Sequence, residues 1–572
     1  MGTETTHLTA GYCATTGTYR SRHSPATEAT ATDTSFPSYL FSRLRAFPPD
    51  RPAFVDTSTG ASLSFAGLRA LSLKAASALA ALGLRRGHVV LLVAPNSLHF
   101  PALSLAVLAV GAVLSAANPL LTSDELAGQA QDSEPFLALT TADLAPKLRK
   151  AQMTTTTLVV LIDELLAGVD GHDEWAACAS SDDGDHQAAL LFYSSGTTGR
   201  SKGVVCTHGN AVAMAASLER LWRRRDNVED DVYGCVVPMF HMFGFSAFVL
   251  GTAAMGATTV LVPGRFSADK LMAAMADYGV TRLLVVPPMV ASLAKVAAAW
   301  IPRLRLREVV SSGAPLLRHH VARFRSCFPR VSLGQCYGLT ETTGIVTMCD
   351  LPSDHDNDGS SPSSSLSIGR LAPCVEARIV DVESGEALPP NRAGELWLRG
   401  ASVMQGYLRN EDATVAALVS DAAVQRWLRT GDLCYVDSRG FLHVVDRLKE
   451  LIKYKAYQVA PAELEDVLAA HPGIRDAAVA PYPDDEAGEI PVACVVRKPE
   501  SHHLQTQDVL SFVQHKVAPY KMIRKVVFVD SIPRSPSGKI LRAHLKSFLR
   551  TVAGEVQGQS AGPTYTLRRS KI

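Results

Sequence analysis

From Tyr39 onward the chain alternates amphipathic helical patterns with short apolar runs, and this rhythm restricts the possible folds more than any other feature. LRALSLKAASALAALGL is followed by VVLLVAP, then by FPALSLAVLAVGAVLSAANP and FLALTT, and the rhythm returns in LMAAMADYGV, RLLVVPP and LREVVSSGAP. Runs that are apolar throughout suit strands covered on both faces, and helices between them imply parallel sheets. The expected fold class is therefore α/β. At 572 residues the chain exceeds a single core, and ~100 to 200 residues per domain predicts three or four folding units. Residues 100–123 and 242–264 are uncharged and reach the ~20 residues that a membrane helix needs. Gly, Pro, Ser or Thr breaks each stretch, and both lie within helix-then-strand patterns, so they read as buried core.

The strongest chemical signal is LLFYSSGTTGRSKGV at residues 190–204. An apolar strand-like run leads into Ser194, Ser195, Gly196, Thr197, Thr198 and Gly199, and Lys202 follows. Small residues let the backbone approach an anion, their N–H and hydroxyl groups supply donors, and the lysine adds charge. It is not a Walker loop, which places Gly before its Lys and Ser or Thr after it, because Ser201 precedes Lys202 and Gly203 follows it. Taken alone, the segment also reads as a flexible turn.

Bulk charge narrows the partners. With 56 Lys+Arg against 55 Asp+Glu there is no basic footprint for nucleic acid or an anionic membrane surface, which leaves small molecules. The ten cysteines are scattered singly, without CxxC or companion His spacing, which argues for a reducing compartment and against structural zinc. The first 34 residues are Thr-rich with few large apolar side chains, and are expected to be a flexible tail. Two targeting readings compete there: MGTETT fits a loose N-myristoylation pattern, and Arg20 with Arg22 hint at a transit peptide, against which Glu4, Glu28 and Asp33 count. Residues 353–365, SDHDNDGSSPSSS, read as an exposed insertion. After Arg447 the pattern becomes a compact α+β unit. This gives a large domain over 35–446, a boundary over 447–449, a small domain over 450–550 and a tail over 551–572.

Four further segments complete a pattern: GQCYGLTE (334–341), GELWLRG (394–400), RTGDLCYVD through VDRLKELIKYKAYQVAPAELE (429–465), and PRSPSGK (533–539). With the Ser/Thr/Gly loop, their order and spacing resemble the acyl-adenylate-forming superfamily from about residue 37 to about 550. Within it the chain is most similar to plant 4-coumarate:CoA ligases and their fatty-acyl or jasmonate-precursor ligase relatives, with beetle luciferase a cousin. The resemblance implies a large N-terminal domain of layered α/β subdomains plus a β-rich subdomain, and a small mobile α+β C-terminal domain. It implies a two-step reaction: a carboxylate attacks the α-phosphate of ATP to release pyrophosphate, and the thiol of CoA then attacks the acyl-AMP. The acid would be hydroxycinnamate-like, fatty or a jasmonate precursor. The alternative is an acyl-adenylate-dependent monooxygenase of luciferase type.

By the same resemblance the loop from Ser194 to Lys202 holds the β- and γ-phosphates. Gly313, Ala314, Gln335, Tyr337, Gly338 and Thr340 contribute to the nucleotide site, with Tyr337 on the adenine and Thr340 at the α-phosphate, and Glu341 holds Mg²⁺. Asp432 accepts the ribose hydroxyls, and Arg447 donates to ribose and phosphate. Lys539 reaches the carboxylate and α-phosphate during adenylation. A swing about Lys449 then brings Lys453 and Gln458 inward, with Lys455 and Ala456 on the CoA tunnel and His241 among the catalytic residues. GELWLRG reads as a structural strand. The acyl pocket would use His241, Met242, Phe243, Ser246, Ser312, Gly313, Cys336, Gly344 and Ile345.

The chain departs from the family pattern at several positions. Ser201 stands where Pro is usual, Ala456 where Gly is commoner, and Cys336 where hydroxycinnamate ligases have Gly. Gly344 with Ile345, and the run Phe243, Gly244, Phe245, Ser246, are also unlike the hydroxycinnamate pattern, so the pocket reads as apolar. The terminal Ser570, Lys571 and Ile572 resemble a peroxisomal tripeptide read by an import receptor. That predicts a peroxisomal address, with the cytoplasm as the alternative.

Overall fold

The computed structural model describes residues 11–23, 35–151, 157–171, 175, 186–194, 201–222, 231–349, 367–373, 375–421, 425–454, 457–484, 487–517, 519–535 and 538–552. Ser195, Gly196, Thr197, Thr198, Gly199, Lys455, Ala456, the 353–365 insertion, MGTETT and the C-terminal tripeptide lie outside the described residues.

Among the described residues the strands form four sheets. In a seven-stranded sheet, Val89–Val93, Val113–Ala116, Leu137–Thr140, Leu158–Leu161 and Ala188–Ser194 run parallel. Lys202–Thr207 turns back antiparallel to Ala188–Ser194, and Gly406–Tyr407 pairs with it at the edge. A nine-stranded sheet has Pro52–Asp56, Thr258–Leu261, Val232–Cys235, Arg282–Val285, Glu308–Ser311 and Ser332–Leu339 in parallel. The helix His99–Ala109 is buried from Phe100 to Ala109, the behaviour of a helix apolar on every side that is enclosed by its neighbours. With the strand Val113–Ala116 it accounts for most of the first uncharged stretch. The second holds a π-helix, Phe245–Thr252, followed by the strand Thr258–Leu261. No helix among the described residues is long and apolar enough to cross a membrane.

A third, antiparallel sheet forms the β-rich part, and GELWLRG is its strand Gly394–Gly400, with Leu396 and Leu398 fully buried. Here the flexible tail expected over 1–34 is corrected for residues 11–23, the part of it that is described. Tyr12–Cys13 and Thr18–Arg20 form a hairpin whose second strand pairs with Val375–Val380. Tyr19 is 1% exposed and donates from its hydroxyl to the Leu388 carbonyl at 3.0 Å, while Arg20 pairs with Glu376 at 3.0 Å. Two short strands cannot stand alone in water. The hairpin holds because one large aromatic is buried against a sheet formed by chain hundreds of residues away.

After Arg447, the five-stranded sheet built from Ile452–Tyr454, Tyr457–Val459, Ile474–Asp484, Gly488–Arg497 and Lys525–Phe528 carries the helices Pro461–Ala469, Thr506–Gln514 and Arg542–Val552. Its own buried apolar side chains, Ile452, Leu464, Leu468, Val479 and Val495 among them, make it a separate folding unit.

Candidate active site

Three elements converge on one polar cluster. Tyr337, near the end of Ser332–Leu339, donates its hydroxyl to Asp432 Oδ2 at 2.5 Å. Asp432 sits opposite Arg447 on the paired strands Arg426–Val436 and Leu442–Arg447, with Arg447 Nε 3.3 Å from Asp432 Oδ1. Burial pushes the Asp432 carboxyl up from its ordinary value, and the Arg447 guanidinium opposes that shift. Burial beside Asp432 drives the Tyr337 phenol well above its ordinary range. An aromatic face, a carboxylate and a fixed cation stand together, the donor and acceptor set that a nucleoside phosphate requires.

A second cluster lies where the strands Ala188–Ser194 and Lys202–Thr207 pair. Lys202 pairs with Ser194 across the hairpin, so the described ends of the loop between them are fixed in register. Glu341 Oε1 accepts from the Ser194 hydroxyl and from the Tyr407 hydroxyl, each at 3.0 Å. Lys202 Nζ lies 4.9 Å from the centre of the Tyr407 ring, a distance at which cation and π face attract. Sequence reasoning missed Tyr407. Its only sequence signal is an aromatic a few residues beyond GELWLRG, which says nothing of the partner until Gly406–Tyr407 pairs with Lys202–Thr207.

Close packing shapes the rest of the strand-and-turn region. Thr340 opens the turn Thr340–Thr342, and a Cβ on Gly338 would fall 2.0 Å from the Gly344 carbonyl oxygen, so the hairpin closes only with glycine there. Gly313 has φ 84°, a left-handed conformation, and Ala314 follows it. Gln335 is buried, and its amide bonds the Leu316 N–H at 3.2 Å and the Ser367 carbonyl at 3.2 Å, so this side chain braces the protein.

The proposed acyl wall is apolar and tightly packed. Met242, Cys336 and Ile345 are buried, and the Cys336 thiol is pushed up to about 12 by burial. The fully buried Ser246 donates to the Phe243 carbonyl at 3.2 Å, and Ser312 donates to the Cys336 carbonyl at 2.9 Å. A Cβ on Gly344, whose φ is 137°, would meet Ser246 at 2.6 Å. His241 precedes the short helix Met242–Gly244. Solvent reaches its ring, yet the surrounding protein disfavours the cation and lowers its pKa from the ordinary value.

From the small domain, the loop holding Lys539 is folded on itself: Ser535 N–H donates to the Lys539 carbonyl at 2.8 Å, and Lys539 N–H to Ser535 Oγ at 3.1 Å. Gly538 has φ 87°, and a Cβ there would sit 2.6 Å from Pro288 Cγ, so this loop presses on the start of the large-domain helix Pro287–Val296. Lys539 comes within electrostatic reach of Asp432, Arg447 and Glu450; burial lowers its pKa, aided by Arg447, while Glu450 and Asp432 oppose. Lys453 and Gln458 pair on neighbouring strands; the Lys453 side chain is exposed, and its N–H donates to Glu489 at 2.8 Å. Lys449 is exposed in the turn between the domains. The structure thus gathers Tyr337, Asp432, Arg447 and Lys539, and beside them Ser194, Lys202 and Glu341, with Glu341 within electrostatic reach of Arg447, while the exposed Lys453 joins neither group.

Residues 40–408 match the family described as AMP-binding enzyme, and residues 463–539 match the AMP-binding enzyme C-terminal domain. A 4-coumarate--CoA ligase-like 8 of Oryza sativa subsp. japonica is 62% identical, covering 95% of this chain and 98% of that protein. Peroxisomal OPC-8:0-CoA ligase 1 of Arabidopsis thaliana is 42% identical, covering 94% and 97%. Among solved structures, ATP-bound MatB from Rhodopseudomonas palustris superposes with a TM-score of 0.79 at 28% identity, over 91% of this chain and 100% of that one. A benzoate CoA ligase from Burkholderia xenovorans LB400 gives a TM-score of 0.77 at 26% identity, over 90% and 99%. With both domain models matched and these relatives aligned over nearly their whole length, the chain belongs to the AMP-binding enzyme family.

Proposed function

We propose that the chain is an ATP-dependent carboxylate:CoA ligase that first forms an acyl-AMP with release of pyrophosphate and then the CoA thioester. The observation that supports this reading is Lys539 of the small domain, which lies within electrostatic reach of Asp432 and Arg447 in a loop whose Gly538 packs against Pro288 of the large domain. A carboxylate approaching a triphosphate is repelled by it. A lysine partly desolvated beside a fixed arginine is suited to offset that repulsion where charge develops. Tyr337 would cover the adenine, Asp432 would accept the ribose hydroxyls and Arg447 would donate to ribose and phosphate. Glu341 is a hard oxygen donor oriented by two hydroxyls beside Lys202, which suits Mg²⁺; the ion would neutralise phosphate charge and orient the leaving pyrophosphate. Lys449 is the proposed hinge, about which the small domain rotates to bring Lys453 and Gln458 inward for attack by the CoA thiol.

The pocket chemistry favours an aliphatic or cyclic acyl chain over a phenol. Met242, Phe243, Cys336, Gly344 and Ile345 bring no charge, and the hydroxyls of Ser246 and Ser312 donate their protons to backbone carbonyls, which leaves His241 as the main polar group of the set. A wall so poor in hydrogen-bond partners discriminates between isosteres only modestly, so the reading extends to a class: fatty or cyclopentanone-containing acids ahead of hydroxycinnamates. An acyl-CoA of that class is the starting point of β-oxidation, which agrees with a peroxisomal address read from Ser570, Lys571 and Ile572. The test is pyrophosphate release and loss of the CoA thiol across hydroxycinnamates, medium-chain and cyclopentanone-containing acids. Equimolar AMP and thioester are expected. Oxygen uptake with light would favour the monooxygenase, and absence of acid-dependent pyrophosphate would overturn the ligase.

A further inference from the structure

Asp446 lies on the large-domain side of Lys449, three residues before it, on the strand Leu442–Arg447, where it pairs with Leu433. Its side chain serves the end of that strand and the small domain together. The carboxylate is buried with 6% of the residue exposed, and while Oδ1 accepts from the Arg447 N–H at 2.7 Å, Oδ2 accepts from the Ala462 N–H at 3.0 Å. Ala462 is the second residue of the small-domain helix Pro461–Ala469, and the residue in that helix's own capping position, Ala460, makes no side-chain bond. An uncapped helix start leaves unpaired N–H groups and a partial positive charge. Here both are met by a carboxylate from the other side of the hinge.

The remaining charges lie on both sides of the hinge, and Arg542 and Glu465 of the small domain also face Asp446. Arg542 binds Glu450 at 2.6 Å and Glu465 at 2.5 Å; all three follow the hinge lysine and move together. The pair Arg318–Asp466, at 3.3 Å, joins the large domain to the same helix that Asp446 caps. A rotation about Lys449 would leave the first pair of bonds intact and would separate Asp446 from Ala462. We propose that Asp446 is a positioning residue for the first half-reaction: by capping the small-domain helix from across the hinge, it holds the domain where Lys539 meets Asp432 and Arg447. This rests on the ligase reading and on Lys449 as the hinge.

Removing a helix cap is worth about a five- to tenfold change in an equilibrium, so the two half-reactions should separate by that factor. In Asp446→Ala, single-turnover acyl-AMP formation is expected to fall about five- to tenfold relative to thioester formation from supplied acyl-AMP. Asp446→Asn, which still accepts a hydrogen bond, is expected to restore most of the ratio. Arg318→Ala, at the exposed pair, should move the ratio the same way by about twofold or less. A structural role alone would lower both half-reactions and the melting temperature together without moving their ratio, and that result overturns the proposal. Should Asp446→Ala fail to fold, hydrogen exchange on the wild type decides. The Ala462 amide is expected to exchange about five- to tenfold faster with CoA and an unreactive acyl-adenylate analogue bound than with ATP bound; equal protection in both states overturns the latch. A wild type without acid-dependent pyrophosphate release would fail the ligase reading instead, whereas an active wild type with an unmoved ratio in Asp446→Ala fails only the latch.

Discussion

At the scale of single residues, the role proposed for Lys539 differs from that of the cations around it because its position depends on the small domain. Arg447 is fixed by the strand pairing that sets it opposite Asp432, and Lys202 by its register with Ser194. Lys539→Ala should therefore slow acyl-AMP formation by ~10² to 10³ and leave thioester formation from supplied acyl-AMP largely intact. Equal losses in both half-reactions, measured in single turnovers, would remove the role. Tyr407 gives a finer test of the phosphate cluster. Tyr407→Phe keeps the ring under Lys202 and deletes the hydroxyl that orients Glu341. The loss of one hydrogen bond to a carboxylate predicts about a tenfold lower kcat/KM for ATP, with a matching rise in the Mg²⁺ concentration for half-maximal rate. An unchanged Mg²⁺ dependence would show that Glu341 is held well enough by Ser194 alone.

At the scale of elements, the turn between the strand Leu442–Arg447 and the small domain has to change its backbone angles if one lysine serves each half-reaction. Within it Glu450 N–H donates to the Arg447 carbonyl at 2.9 Å, and the exposed Lys449 side chain carries no packing role. Lys449→Pro fixes φ near roughly −65°, so adenylation should survive better than CoA transfer; single turnovers with both half-reactions unaffected would move the hinge elsewhere. The parallel strands were legible because a strand buried on both faces is apolar throughout, as VVLLV is at Val89–Val93. The π-helix Phe245–Thr252 was not, since its residues are buried on every side and leave no period to read. The order of motifs named Tyr337, Asp432 and Arg447 together but not how they meet: Tyr337 comes from the nine-stranded sheet and the other two from paired strands of the antiparallel sheet. Tyr407 and Asp446 escaped because their partners are fixed only by tertiary pairing. A carboxylate capping a helix sixteen residues away has no local signature.

For the whole molecule, the N-terminal hairpin shows how distant chain completes a sheet. Residues 11–23 looked too poor in large apolar side chains to order themselves, and by themselves they are; Tyr19 changes the balance by burying its ring where Tyr12, Ala377 and Leu388 meet it. The hairpin also covers the edge strand Val375–Val380, whose unpaired backbone groups would otherwise be open to another chain. Tyr19→Ala removes a fully buried aromatic and should lower stability by about 3 kcal/mol, unless the hairpin detaches first and limits the loss to the free energy of docking. Those alternatives separate in one experiment. Global destabilisation lowers the melting temperature and leaves residues 11–23 resistant to protease until the molecule unfolds, whereas detachment makes that segment cleavable under native conditions and increases association between molecules through the exposed edge. Both half-reactions should stay within about twofold of the wild type at 25 °C, because a stability loss of this size leaves most molecules folded. A Tyr19→Ala protein with unchanged melting temperature, protease resistance and solubility would show that the hairpin contributes nothing to the integrity of this sheet.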